Sequence, residues 1–157
     1  GENQVSEIIY SVSVSIDGSI YLCSSINSSS SIEVYQPKIT KIDNAGNVDW
    51  QRVFKTNSRN YHQFRATTTQ SGEVIFVGSS SLELSIGSRE DAFMTKIDSK
   101  GNIIWTYPYG SFNDDDWGWS VFEAPKGNIV FVGSTKSFGA SLFDIYLVGT
   151  DSQGLSN

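Results

Sequence analysis

The sequence has one cysteine, one histidine, one methionine and three prolines. With Cys23 alone no intrachain disulfide forms, and with His62 alone a metal set built from several histidines and cysteines is excluded. No apolar run exceeds four residues, far below the roughly 20 that a membrane-crossing helix needs. Basic residues are also few. Eleven of them against 17 acidic ones leave a net charge of −6, which argues against nucleic acid and against membrane insertion or an anionic membrane surface. Charged residues make up only 18%, and alanine and leucine are scarce, which disfavours helix. An initiator methionine and an apolar signal segment are both lacking, so the chain reads as a processed or excised product.

Serine, asparagine, glycine and threonine are abundant instead, the composition of short strands joined by tight turns. The 157 residues suffice for one ordinary domain with a hydrophobic core. Within them a repeat is visible. Gly18, Gly72 and Gly127, spaced by 54 and 55 residues, each precede an apolar run: Ile20–Cys23, Val74–Val77 and Ile129–Val132. A second landmark, Asp-x-x-Gly, occurs at Asp43–Gly46, Asp98–Gly101 and Asp151–Gly154, spaced by 55 and 53. Two copies continue into Gly-Asn and then a tryptophan, Trp50 and Trp105. Independent landmarks on one period mark a structural repeat of about 54 residues.

Each unit reads as four strands. In the second they fall near His62–Thr69, Glu73–Gly78, Ala92–Ile97 and Ile103–Tyr109. The four-residue apolar runs are the mark of a strand covered on both faces, so all three are expected to be the most buried segments, with Cys23 inert among them. Asp43, Asp98 and Asp151 read as turn formers, because aspartate bonds its own backbone and the glycine accepts positive φ. The units span about 5–58, 59–112 and 113–157. Only three residues follow Gly154, so the third unit lacks its last strand and the chain reads as cut from a longer array.

The third unit carries a resemblance. Gly110–Trp117, Gly127–Ser134, Ser137-Phe138-Gly139, Asp144–Leu147 and Asp151–Gly154 are similar to one blade of the bacterial and archaeal β-propeller repeats. The second unit matches through Gly72–Trp105, including Lys96. The first departs at Ser24, where the others have Gly78 and Gly133, and the third has Gly149 where the family has lysine. The resemblance implies an all-β, propeller-type array of three four-stranded antiparallel blades, the third incomplete. A β-trefoil, which also has three four-stranded repeats, is the alternative. Three blades do not close a ring, because propellers use about 4–8. Self-association, or further blades of a longer parent chain, is therefore expected to cover the two end faces.

Chemistry-bearing motifs are sparse. No phosphate-binding glycine loop and no Gly-x-Ser-x-Gly nucleophile turn occurs, and His62, aligned with Ile8 and Trp117, reads as a packing residue. Asn113 and the acidic run Asp114, Asp115 and Asp116 offer oxygen ligands of the kind Ca²⁺ takes, without the spacing of a helix–loop–helix calcium loop. The bland alternative is a solvated loop in which one carboxylate caps a turn. Trp117 and Trp119 follow at alternate positions, and rings on one strand face beside carboxylates would suit a sugar. The same rings would equally fill the wedge between blades. The resulting expectation is a non-catalytic binding or scaffold module of a secreted or cell-surface protein, with a protein or glycan ligand. A part of a glycan-active enzyme whose catalytic residues lie in other blades, and a plain structural spacer, are the alternatives.

Overall fold

The computed structural model describes residues 6–27, 35–54, 64–80, 90–111, 114–138 and 142–156. They form three antiparallel sheets in chain order. Sheet one contains β1 (Ser6–Val14), β2 (Ile20–Asn27), β3 (Tyr35–Ile42) and β4 (Val48–Val53). Sheet two contains β5 (Arg65–Thr68), β6 (Val74–Ser80), β7 (Asp91–Ile97) and β8 (Ile103–Tyr109). Sheet three contains β9 (Asp116–Glu123), β10 (Ile129–Thr135) and β11 (Asp144–Thr150). Every strand pairs with its sequence neighbour, and among the described residues the one helical element is a 3₁₀ turn at Pro125–Gly127. The all-β class and the division into four, four and three strands follow the repeat.

The landmark residues make the turns. Gly18, Gly72 and Gly127 have φ of 83°, 83° and 82°, and Gly46, Gly101 and Gly154 have 89°, 79° and 80°, the left-handed region open to glycine. Asp43 Oδ1 accepts from the backbone N–H of Ala45 and Asn47 at 2.9 and 2.8 Å. Asp98 repeats this with Lys100 and Asn102, and Asp151 with Gln153 and Leu155. The bonds from Asn47 hold the Asp43 carboxyl below its ordinary range, and those from Asn102 do the same for Asp98. Ser156 bridges Thr150 at the register position where Val48 meets Ile42 and Ile103 meets Ile97.

The sheets stack face to face, and the pleat decides which side chain meets which sheet. Val74 and Phe76 of β6 join Tyr21, Cys23, Ile39 and Phe54 in the core between sheets one and two. Ile75 and Val77 join Val121, Ile129, Phe131 and Val148 in the core between sheets two and three. Only the middle run is therefore covered on both sides. The expectation that Ile20–Cys23 and Ile129–Val132 are equally buried is corrected: Tyr21, Cys23, Ile129 and Phe131 are buried, whereas Ile20, Leu22, Val130 and Val132 face the outer sides. The reason is that each outer sheet has one neighbouring sheet among the described residues. Cys23 is fully buried, and burial pushes its thiol up to about 12, which leaves almost no thiolate at neutral pH.

Each fourth strand also clasps the next unit. The Trp50 indole lies over the Gly101 turn, donating to Ser99 O at 3.1 Å, while Arg52 Nη1 donates to Gly101 O at 2.9 Å. One repeat on, Trp105 and Tyr107 cover Gly154, and Tyr109 Oη donates to Gly154 O at 2.6 Å. The recurring tryptophan thus closes the outer side of each joint. On the inner side the first strands meet through side chains: Ser13 Oγ lies 2.9 Å from Thr68 Oγ1, and Ser11 Oγ accepts from Ala66 N at 2.9 Å.

Candidate functional site

The acidic run enters β9 at the end of the joint between sheets two and three. Asp114 is exposed, Asp115 half-buried and Asp116 fully buried. Asp116 Oδ2 accepts from Ser111 N at 2.9 Å and Ser137 Oγ at 2.7 Å, and Asp116 N donates to Glu90 O at 2.6 Å. Gly110, at φ 143°, makes the room, because a Cβ there would collide with Asp116 Oδ2. Asp115 Oδ1 accepts from Glu90 N at 3.1 Å, and its Oδ2 pairs with Lys136 Nζ at 2.9 Å. The two carboxylates tie together the start of β7, the end of β8, the start of β9 and the end of β10. Among the described residues no group of three His, Cys, Asp or Glu side chains is placed to hold a metal ion. Asn113 and His62 lie outside the described residues.

The rings beside them divide. Trp117 is buried and stacks on Phe143 with centroids 4.3 Å apart, and Lys136 Nζ sits 4.4 Å from the centroid of the Phe143 ring. Trp119 is half-buried and donates from Nε1 to Ser134 Oγ at 2.7 Å. The two indoles meet at 72°, edge to face, so they do not form one flat platform. Their arrangement follows from a β-bulge. Between Val132 and Gly133 the register with β9 shifts, leaving Trp119 as the extra residue. Tyr10 occupies the same place in β1, between Ile9 and Ser11. Tyr10, Phe64 and Trp119 each stand eight residues before the turn glycine, an aromatic repeat that the sequence contains and its landmarks did not single out.

Asp91 is the other residue that sequence reasoning missed. It starts β7 at the repeat position of Asp144, and the structure faces it toward the next unit's carboxylates. Its Oδ1 and Asp116 Oδ1 are both buried without a hydrogen-bond partner. Burial, then Asp116 and Asp115, push the Asp91 carboxyl up to about 6. Burial, then Asp116 and Asp91, push the Tyr146 phenol up to about 12.

The sign of the pH dependence follows. A folded value above the unfolded one means that Asp91 contributes stability fully below about pH 4, and that this is lost as pH rises through about 6. Asp91→Asn keeps the shape, removes the charge and offers an amide donor. It is expected to stabilise the protein at pH 7.5 by about 1 to 2 kcal/mol, the shift being discounted for partial solvent exposure. Urea melts should show the difference shrinking toward zero near pH 4. A pH-independent difference would refute this assignment.

A comparison of the chain with protein-family models finds no match, and a comparison with curated proteins finds none either.

Proposed function

We propose that the chain is a non-catalytic scaffold and binding module, a run of propeller-type sheets from a secreted or cell-surface protein. One observation carries the reading: the same face-to-face joint occurs twice, with equivalent residues in equivalent places. Val74 and Phe76 turn toward the preceding sheet as Ile129 and Phe131 do, and the indoles of Trp50 and Trp105 both cover the next unit's turn. The ladders between named strands stay within each repeat. A trefoil would join repeats into one barrel, whereas radially stacked four-stranded sheets are the plan of a propeller.

The acidic and aromatic residues support a scaffold more than a catalyst. Asp115 and Asp116 tie sheet two to sheet three, and Trp117 is buried against Phe143 of the same unit. Of the two indoles of the cluster, Trp119 is the less buried and the one a sugar would meet. The purified chain, tested on a glycan array and against a panel of glycoside substrates, is expected to show neither binding nor turnover. Glycoside hydrolysis by the chain would overturn the reading. Glycan binding abolished by Trp119→Ala would replace the protein ligand by a carbohydrate.

A further inference from the structure

Among the described residues no further sheet lies on either outer face of the array, and the repeat says what each face is built to meet. In sheet two the side turned toward the next sheet carries Ile75, Val77, Ala92 and Met94, all buried. The same repeat positions in sheet three are Val130, Val132, Ile145 and Leu147. Ile145 is 82% exposed and Leu147 66%. At the other end, Ala66, Val74 and Phe76 turn sheet two toward sheet one, and their equivalents in sheet one are Val12, Ile20 and Leu22. Val12 is 63% exposed. Among the described residues one chain thus presents the apolar parts of both halves of the joint that it makes twice internally, sheet three lacking the fourth-strand clasp.

We infer that the outer face of sheet three receives the outer face of sheet one from a second copy of this chain, and that two copies close a six-sheet ring through two such joints. The inference rests on the propeller-type reading, in which six sheets fall within the range that closes. A head-to-tail contact is self-limiting only if the rotation closes, and a two-copy ring satisfies both open faces of both copies at once. A stable interface buries on the order of 1,200–2,000 Å² in total, the area the two joints together must supply. The charged pair on the sheet-one face is no obstacle. Lys38 Nζ and Glu7 Oε2 are 3.0 Å apart, and Ser24 Oγ donates to Glu7 Oε1 at 2.7 Å, so closure leaves neither charge unpaired.

Sedimentation equilibrium of the 157-residue chain at micromolar concentration tests this. A dimer is expected. Leu147→Glu and Val12→Glu each place a charge on one half of the joint, at positions exposed in the single chain. Each should weaken dimerisation at least 100-fold while leaving the far-ultraviolet circular dichroism of the monomer unchanged. Each variant keeps one intact half, so an equimolar mixture should regain a dimer through one restored joint. Three results would overturn the inference: a wild-type monomer, which would leave the faces to other sheets; an open series of larger species; or a mixture no more associated than its components. None of them bears on glycan binding or turnover, so the functional reading stands or falls separately.

Discussion

Gly133→Ala is expected to lower stability by about 3 kcal/mol or more, toward the upper end of what overpacking costs. Gly133 lies opposite Gly118 at the bulge that releases Trp119. A Cβ on Gly133 would collide with the carbonyl oxygen of Trp117 and lie 2.8 Å from its carbonyl carbon and 3.3 Å from Gly118 Cα. These are backbone atoms of the paired strand, so no rotamer change relieves the contact. The strands must part, and with them the ladder that holds β9 in place. Gly118 is constrained from the other side, since its own Cβ would strike Val77 of sheet two. Against a typical total stability of about 5–15 kcal/mol, the loss should lower the melting temperature by roughly 6–12 °C. Gly149→Ala is the control. It lies in the neighbouring strand with nothing within 4 Å of its Cβ position, and its melting temperature should stay within about 2 °C of the parent. Equal melting temperatures for the two variants would show that the glycine pair is not what seats β9.

Much of the architecture was legible because turns are local. A glycine at positive φ and an aspartate bonding two residues ahead need nothing from the rest of the chain, so Gly72 and Asp98 could be read from their own neighbours. The same holds for the alternation in Val74–Val77, whose pleat sends successive side chains to opposite sheets. What the period does not carry is the chemistry between sheets. Asp91 and Asp116 stand 25 residues apart and meet only because sheet three lies on sheet two. Asp144 repeats the position of Asp91, yet its strand belongs to a sheet with one open face, and its Oδ1 bonds Ile145 N locally. Burial of the outer runs failed for the same reason. An apolar run says that a strand is able to be covered twice, and only the stacking decides whether it is. The carboxylates of the acidic run went the other way. They are adjacent in sequence, yet Asp115 precedes β9 and Asp116 opens it, and the two carboxylates serve different partners.

Trp105→Ala should be the most damaging of the aromatic truncations, at about 3–5 kcal/mol. Trp105 belongs to the core between sheets two and three, is 8% exposed, and stacks on Tyr107 with centroids 5.6 Å apart. The far edge of its indole lies 3.0 Å from where a Cβ on Gly154 would stand, so it forms the cover of the last turn of sheet three. Removing it opens a cavity in the core and uncovers that turn together, while Tyr109 still holds Gly154 O. The loss should therefore be felt first in sheet three: amide exchange in β10 and β11 should accelerate before that in β2 and β3. Trp50→Ala takes away the equivalent clasp on the Gly101 turn, but Trp50 is only half-buried and its hydrogen bond to Ser99 O is exposed, so about 1–2 kcal/mol is expected. Trp105→Phe separates shape from chemistry. The indole Nε1 of Trp105 is buried without a hydrogen-bond partner, so phenylalanine loses some packing but also removes an unpaired donor. It should recover more than half of the stability lost in the alanine variant, as read from urea midpoints. An alanine variant no worse than Trp50→Ala would mean that the tryptophan repeat marks the turns without holding the sheets together.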